Sequence, residues 1–494
     1  MNTRRLVTWI VFLAVFAMAA RVAVDTDTWW HLRTGQWIVE QRAVPKTDPF
    51  SYTQFGESWK YPSANWIAEV MLYLIYQAFG PGGLIVWVAA LVTLAYAFLW
   101  RTMSGGVFLK AFVIILSVTV AGVYWAARPY MLTFVYMATT LWILEGHRNG
   151  GKDRLWWLPV VVLVWANSHG GIAVGFILWG VYGLQAGVSW LQAGWEDAEG
   201  RFSRAWLQTG LRGRVGKMLL VGLVMLAAVC VNPSGPSMLA YTYETVSIGA
   251  LQDLIGEWQS PNFHELRVQP FLILLFLTFG AVGVSKQRLQ LVDFLLVSGF
   301  GVMALMAGRN FVLFALAAPV VLARYAAPVS AELGGRLGFH PIANSKPTFP
   351  VMTVINWGLV GLLLAAAVLK VAAIYPQAFH EEIFAASLPV GAVEYLRENE
   401  PPGRLMNAYN WGGYLIWELP EYPVFVDGRT DLYRDEIIGQ WLQVFGALDG
   451  WRQVLDEWQV NLILIEPHWE LNYALEDADW EILYQDDVSI LYGR

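Results

Sequence analysis

Asp25-Thr26-Asp27-Thr28-Trp29-Trp30-His31 follows directly on the first long apolar run of the chain. Two carboxylates and an imidazole therefore stand where a hydrophobic segment ends, at a membrane surface. Ionised groups beside lipid are costly and are usually kept for function. Asp25 and Asp27 lie two residues apart, so both face one ligand if the turn is extended. Trp29 and Trp30 suit the headgroup layer and are expected to hold the acidic pair at that depth, against a substrate.

The rest of the composition agrees with a membrane setting. The chain has 494 residues, 56% of them hydrophobic and 14% charged, with 26 Trp and 21 Tyr. Soluble domains carry about 25% charged residues, and recurrent Trp and Tyr are expected where many spans end in aromatic belts. Cys230 is the single cysteine, which excludes an intrachain disulfide and a zinc–thiolate cluster. Arg4-Arg5 and the run to Ala20 resemble a signal peptide, but the many later spans favour an uncleaved first helix. The net charge of −7 is split: from Tyr375 onward there are 22 Asp/Glu against 6 Lys/Arg, which leaves +9 on the remainder. A basic membrane domain (1–375) and an acidic C-terminal domain (376–494) are expected. The basic residues lie mostly in short loops between spans, so nothing points to nucleic acid.

Apolar runs of spanning length fall near 6–24, 82–100, 107–125, 129–145, 155–168, 171–190, 216–231, 269–284, 289–307, 311–327 and 350–373. The stretch 64–79 is read as a helix at the surface or only partly inserted, within an outer loop 25–81 that carries membrane-parallel helices. With the N-terminus inside, 17 basic residues fall on the inner side and 7 in the outer loops before the C-terminal domain, which obeys the positive-inside rule. The same assignment places Asp25, Asp27, His31, Arg128, His169, Glu257 and Arg309 together on the outer side. The inner loops carry mostly plain basic residues, and no charged residue is expected deep in a span. Pro328, Gly334-Gly335, Pro341 and Pro347 read as an inner linker over 328–348.

The C-terminal domain reads as α/β. Ala392–Glu398, Ile437–Phe445 and Trp451–Trp458 have helical patterning. Arg404–Asn407, Pro423–Val426 and Asn461–Ile465 read as buried strands, and Trp480–Tyr484 with Val488–Tyr492 as a hairpin.

Each polar motif has a functional and a plain reading. Asp25 and Asp27 suit a general base with a ligand to Mg²⁺ or Mn²⁺, His31 being a further metal ligand; the plain reading is that Asp27 caps the surface helix 29–41. Arg128 and Arg309, at outer ends of spans, match phosphate oxygens or simply snorkel to lipid. His169, at a helix break rich in glycine, is a substrate contact or a satisfied buried histidine. Glu257, in a 37-residue outer loop, is a further acidic ligand or a solvated carboxylate. Asn407–Tyr414 and Asp427–Asp431 follow expected strands and offer a recognition surface or a docking surface.

A first span followed by an acidic Asp-x-Asp in a long outer loop resembles the GT-C superfamily of integral membrane glycosyltransferases. Asp25–Leu32 with Gly35, the Asp48–Thr53 loop, Trp165–Gly171, Glu257–Pro261, Asn407–Tyr414 and Asp427–Asp431 further resemble largely uncharacterised bacterial GT-C-like membrane proteins. The resemblance implies a multi-span α-helical membrane protein of the bacterial inner membrane. It would have about eleven transmembrane helices, a cytoplasmic N-terminus and an extracytoplasmic C-terminal α/β domain. It also implies transfer of a sugar from a polyprenyl-phosphate donor to a glycan, lipid or protein acceptor, with Asp25 or Asp27 as base or metal ligand. The Trp-Trp-Asp tripeptide of oligosaccharyltransferases is absent, which argues against peptide-asparagine glycosylation. The alternative is a non-catalytic scaffold subunit of a larger membrane assembly. A transporter is disfavoured because no inverted repeat is visible.

Overall fold

A computed structural model describes residues 1–22, 24–61, 64–197, 204–249, 255–337, 350–476 and 479–494. Each apolar run named above forms a helix. In chain order the membrane part comprises α1 (Thr3–Ala19), α2 (Asp27–Gln41), α3 (Trp66–Thr102), α4 (Val107–Ala121), α5 (Tyr130–Arg148), α6 (Leu158–Ala166) and α7 (Ala173–Asp197). It continues with α8 (Arg204–Arg212), α9 (Arg214–Val229), α10 (Tyr241–Val246), α11 (Gln269–Val284), α12 (Leu291–Met306), α13 (Phe311–Arg336) and α14 (Pro350–Ile374). Among the described residues, five helices are long and apolar enough to cross a membrane: Trp66–Thr102, Val107–Tyr124, Gly170–Gly194, Gly308–Arg336 and Pro350–Ile374. The chain is an integral membrane protein.

α3 is two helices in one. Gly80 sits at φ 61°, ψ −164°, a conformation open to glycine, and Pro81 follows it without an N–H to donate. The residues before this break form the separate outer helix expected at 64–79. The inner linker is shorter than expected, because α13 absorbs Pro328 and the Gly334-Gly335 pair and runs to Arg336. Pro341 and Pro347 lie outside the described residues.

The inner side departs from its expected plainness. Arg148 Nη1 on α5 lies 2.9 Å from Glu145 Oε1 and 2.9 Å from Asp293 Oδ1 on α12. Arg324 on α13 bonds both carboxylates. The Tyr182 hydroxyl of α7 donates to Glu145 at 2.6 Å, and that of Tyr325 to Asp293 at 3.0 Å. Asp293 and Glu145 are buried, and charged groups are retained there because each carboxylate meets two guanidinium groups and a hydroxyl. Glu145 and Arg148 are neighbours on α5, but Asp293 and Arg324 are distant in sequence, so local pattern gave no sign of the full network.

The C-terminal part adds α15 (Gln377–Ala385), α16 (Val390–Asn399), β1 (Arg404–Asn407), α17 (Gly412–Glu418), α18 (Thr430–Phe445), α19 (Trp451–Glu457), β2 (Val460–Ile465), α20 (Leu471–Glu476), β3 (Glu481–Gln485) and β4 (Ile490–Gly493). The sheet order is β1-β2-β4-β3. β1 runs parallel to β2, and β4 pairs antiparallel with both β2 and β3. The expected hairpin and three helices are present. Pro423–Val426 is not a strand of this sheet. Its backbone bonds go elsewhere: Tyr52 N donates to Val424 O at 3.1 Å, Val424 N to Phe50 O at 3.3 Å, and Phe425 N to Asn407 Oδ1 at 2.9 Å. Val424, Phe425 and Val426 are buried, as the pattern required, but the partner is the 50–52 loop rather than a neighbouring strand.

That loop is fastened by charge. Arg429 Nη1 lies 2.5 Å from Asp48 Oδ1, and Arg429 Nη2 lies 2.6 Å from Asp427 Oδ2. The Tyr433 hydroxyl sits 2.9 Å from Arg429 Nη2. All four side chains are buried, with the Phe50 and Trp59 rings over the guanidinium. Asp427 and Arg429 therefore form a docking clamp instead of an open recognition surface. The hydrophobic core of the C-terminal part consequently runs on into Trp29, Trp30, Leu32, Phe50 and Trp59. Removing one partner of a fully buried pair leaves an uncompensated charge, at about 3–5 kcal/mol. Asp48→Ala is expected to lower the melting temperature of the detergent-solubilised protein and open 45–60 to protease. Exposed Glu332→Ala, which breaks surface pairs only, is the control and should change neither.

Candidate functional site

The acidic motif leaves the first span as a loop, turns at Thr26 and enters α2 at Asp27. The cap is made by Asp25: its Oδ1 accepts the Asp27 N–H at 3.0 Å. Both carboxylates thus sit at a helix N-terminus, where the helix dipole favours negative charge. Arg128, between α4 and α5, reaches across them. Its Nη2 bonds Asp27 Oδ2, and its Nη1 lies 3.4 Å from Asp25 Oδ2 and 3.7 Å from Glu257 Oε2. Arg309 Nη1 approaches the other Glu257 oxygen at 3.4 Å, with its guanidinium carbon 4.2 Å above the Trp258 ring. The structure therefore brings together Asp25, Asp27, Arg128, Glu257 and Arg309 as one alternating chain of charge.

Two of these carboxyls differ in kind. Burial raises the Asp25 carboxyl above the usual carboxylate range, against the pull of Arg128 and with a further push from Glu257. Burial would also raise Glu257, but Arg309 and Arg128 outweigh it and hold that carboxyl below its ordinary value. A raised and a depressed carboxyl side by side is an arrangement suited to acid–base chemistry.

The other expected site residues are placed differently. His169 Nδ1 accepts the Gly171 N–H at 3.0 Å and lies 2.8 Å from Thr133 Oγ1, which in turn accepts from Trp165 Nε1. Burial, with Arg309 and Arg128 nearby, pushes this imidazole down to about 3. It is a neutral, satisfied histidine beside the cluster. His31 turns away from the acidic pair: its Nδ1 is 3.0 Å from Glu69 Oε1, both groups are buried, and its ring stacks on Trp30. Trp29 and Trp30 are not headgroup anchors. Trp29 packs edge-on against Tyr76, Phe384 and Tyr414 at the junction with the C-terminal part.

These placements test the expected divalent cation. Arg128 fills the position between Asp25 and Asp27 that a cation would take, and His31 is committed to Glu69. Among the described residues no three His, Cys, Asp or Glu side chains converge. The donor set does not fit Mg²⁺ or Mn²⁺, and no step is routed through one.

The C-terminal part closes over the motif. A Cβ on Gly428 would collide with Asp27 Oδ1, and one on Gly413 with the Thr26 carbonyl, so both glycines are needed for the close approach. Two cavities flank the motif. A groove at the outer ends of α1, α3 and α4 is lined by Arg21, Asp25, Trp29, Leu84, Val88 and Phe384. A wider cleft includes Val24 and Thr26 in its wall. Asp25 lines the groove, and its chain neighbours Val24 and Thr26 line the cleft. Arg21 was not singled out from sequence. It donates to the Gly122 carbonyl, and among the described residues no carboxylate pairs with it. The available signal was a lone arginine four residues before an acidic motif.

No family model matches the sequence, and no curated protein matches it. Solved structures do match. An archaeal oligosaccharyltransferase, AglB from Archaeoglobus fulgidus, in complex with an inhibitory peptide and a dolichol-phosphate, aligns with a TM-score of 0.52 at 10% identity, over 93% of this chain and 69% of that one. A second Archaeoglobus fulgidus oligosaccharyltransferase structure, tethered to an acceptor peptide, gives 0.53 at 11% identity, over 94% and 69%. ArnT from Cupriavidus metallidurans, bound to undecaprenyl phosphate, gives 0.50 at 13% identity, over 100% and 98%. The chain has the GT-C fold, and at these identities the likeness is one of fold.

Arg128 is one of the groups that hold the Asp25 carboxyl down. Arg128→Gln is therefore expected to move the Asp25 titration further upward. Carboxyl infrared or ¹³C NMR of selectively labelled protein checks this, and a downward or absent shift contradicts the assigned contact.

Proposed function

We propose that this protein is a membrane glycosyltransferase that takes a sugar from a polyprenyl-phosphate donor at the extracytoplasmic face. The observation that carries the reading is the position of Asp25. A carboxyl of raised basicity stands between an apolar groove rimmed by the Arg21 guanidinium and a polar cleft under the C-terminal part. An isoprenoid chain fits the apolar lining, a lipid phosphate the guanidinium, and a hydroxyl acceptor the polar side. The solved structures of like fold hold dolichol-phosphate and undecaprenyl phosphate.

In this mechanism Asp25 takes the proton of the acceptor hydroxyl as its oxygen attacks the anomeric carbon. The bond from that carbon to the phosphate oxygen breaks, and its electron pair leaves with the polyprenyl phosphate. Arg21 stabilises the departing anion, with Arg128 and Arg309 contributing the positive field of the cavity. One displacement inverts the anomeric configuration, as in the single-displacement glycosidases. Asp27, held by Arg128 and pressed against Gly428, positions the motif. Orientation follows the charge bias, with the N-terminus inside and the C-terminal part outside.

One observation favours a non-catalytic scaffold as the second reading. The apolar groove has about 50 Å³ of free space, roughly that of one or two waters at about 30 Å³ each. A lipid chain must widen it, which a scaffold would have no need to do. A positioned base contributes about 10²–10⁴-fold. Asp25→Asn, with normal abundance and melting temperature, is expected to reduce transfer by that factor, read as loss of the product glycan from membranes by mass spectrometry. Unchanged glycans would leave the scaffold reading standing.

A further inference from the structure

The wider cleft has a volume of about 380 Å³, within the range of about 300–1,000 Å³ common to small-ligand sites. Its polar wall comprises Thr26, Ser387, Asn410, Glu466, His468 and Asp487. These come from separated segments, each fixed by its own bonds. Trp411 Nε1 donates to the Ser387 carbonyl at 3.1 Å, and Asn472 Nδ2 to the Glu466 carbonyl at 2.9 Å. Asp486 Oδ1 accepts the Val488 and Ser489 N–H groups at 2.8 and 2.7 Å, which fixes the turn carrying Asp487. The wall is therefore preformed, and no ligand is needed to assemble it.

Its chemistry selects the ligand. Carboxyl oxygens accept hydrogen bonds, so Glu466 and Asp487 suit a ligand that presents donors. Glu466 Oε2 is a buried acceptor beside the Trp469 indole, and buried acceptors are normally satisfied. The surrounding domain carries 22 Asp/Glu against 6 Lys/Arg, a field that repels anions. Neutral sugar hydroxyls and protonated amino sugars meet all three demands, whereas uronate or phosphate groups meet none. The cleft also reaches Val24 and Thr26, the chain neighbours of Asp25.

We propose that this cleft is the acceptor site, and that it takes an uncharged or cationic oligosaccharide and rejects a polyanionic one. Only the word acceptor rests on the transferase reading; the binding selectivity does not.

The test is calorimetric titration of the full-length protein in detergent with maltotetraose, the tetramer of glucosamine, and tetragalacturonate, with farnesyl phosphate titrated separately as the lipid probe. The neutral and cationic tetramers are expected to bind, the cationic one more tightly, and tetragalacturonate at least tenfold more weakly than maltotetraose. The Glu466→Gln, Asp487→Asn double variant should weaken the glucosamine tetramer about tenfold and leave farnesyl phosphate affinity unchanged, which also reports that the variant is folded. Tetragalacturonate binding as well as maltotetraose, no tetramer binding, or a double variant with unaltered preferences would each overturn the proposal. Sugar binding without farnesyl phosphate binding would instead remove the lipid-donor reading and leave the cleft assignment in place.

Discussion

The buried guanidinium of Arg429 is the interaction on which the outer half of the molecule depends. A charge in a dry interior is tolerated only when its partners repay most of the lost hydration. Asp48 and Asp427 supply two carboxylates, and Tyr433 a hydroxyl, all fully enclosed. Asp48 is 381 residues away in the chain, so the bond joins the first outer loop to the C-terminal part. With that bond made, Val424 pairs with Phe50 and Tyr52, and the Asp427-Gly428-Arg429 turn lies against Asp27. The clamp has no role in the proposed chemistry, but the position of the acidic motif follows from it.

Within the motif, position rather than residue type separates the two aspartates. Asp27 faces Arg128 on one side and Gly428 on the other, so its carboxylate is enclosed by a cation and by backbone. Asp25 makes a longer contact to Arg128 and opens onto the apolar groove. Burial raises its carboxyl, and its side chain has access to the groove. The lone Asp-x-Asp pattern favours neither; the helix start at Asp27 decides between them.

The sequence carried the features that depend on local periodicity. Apolar runs became helices, Arg404–Asn407 became β1 with the same bounds, and the terminal hairpin followed from its turn residues. Asp25, Asp27, Arg128, Glu257 and Arg309 were legible as unusual polar groups on one membrane face, and the fold gathers them. Pro423–Val426 was misread because a buried apolar run does not name its partner, and here the partner lay in a loop more than 370 residues earlier. His31 was open between a metal ligand and a hydrogen-bonding residue, and the sequence could not name its partner because Glu69 sits on another helix. The network that joins Glu145 and Arg148 to Asp293 and Arg324 was missed because the latter two sit on other helices. Single residues report burial and charge well, but they do not report pairing across the fold.

The charge layout also constrains what a substrate does on arrival. Asp25, Asp27 and Glu257 face Arg128 and Arg309, so the two guanidinium groups are already committed before any ligand binds. A lipid phosphate reaching Arg128 competes with these carboxylates and pays desolvation as well. Arg21, at the rim of the apolar groove, donates to a neutral carbonyl and lies over the Trp125 ring, and among the described residues no carboxylate pairs with it. In the proposed reaction the first contact of the donor is at Arg21, and the enclosed chain of charge is kept for the moment when negative charge develops on the leaving oxygen. Interactions that strengthen only at that stage are the ones that accelerate a reaction.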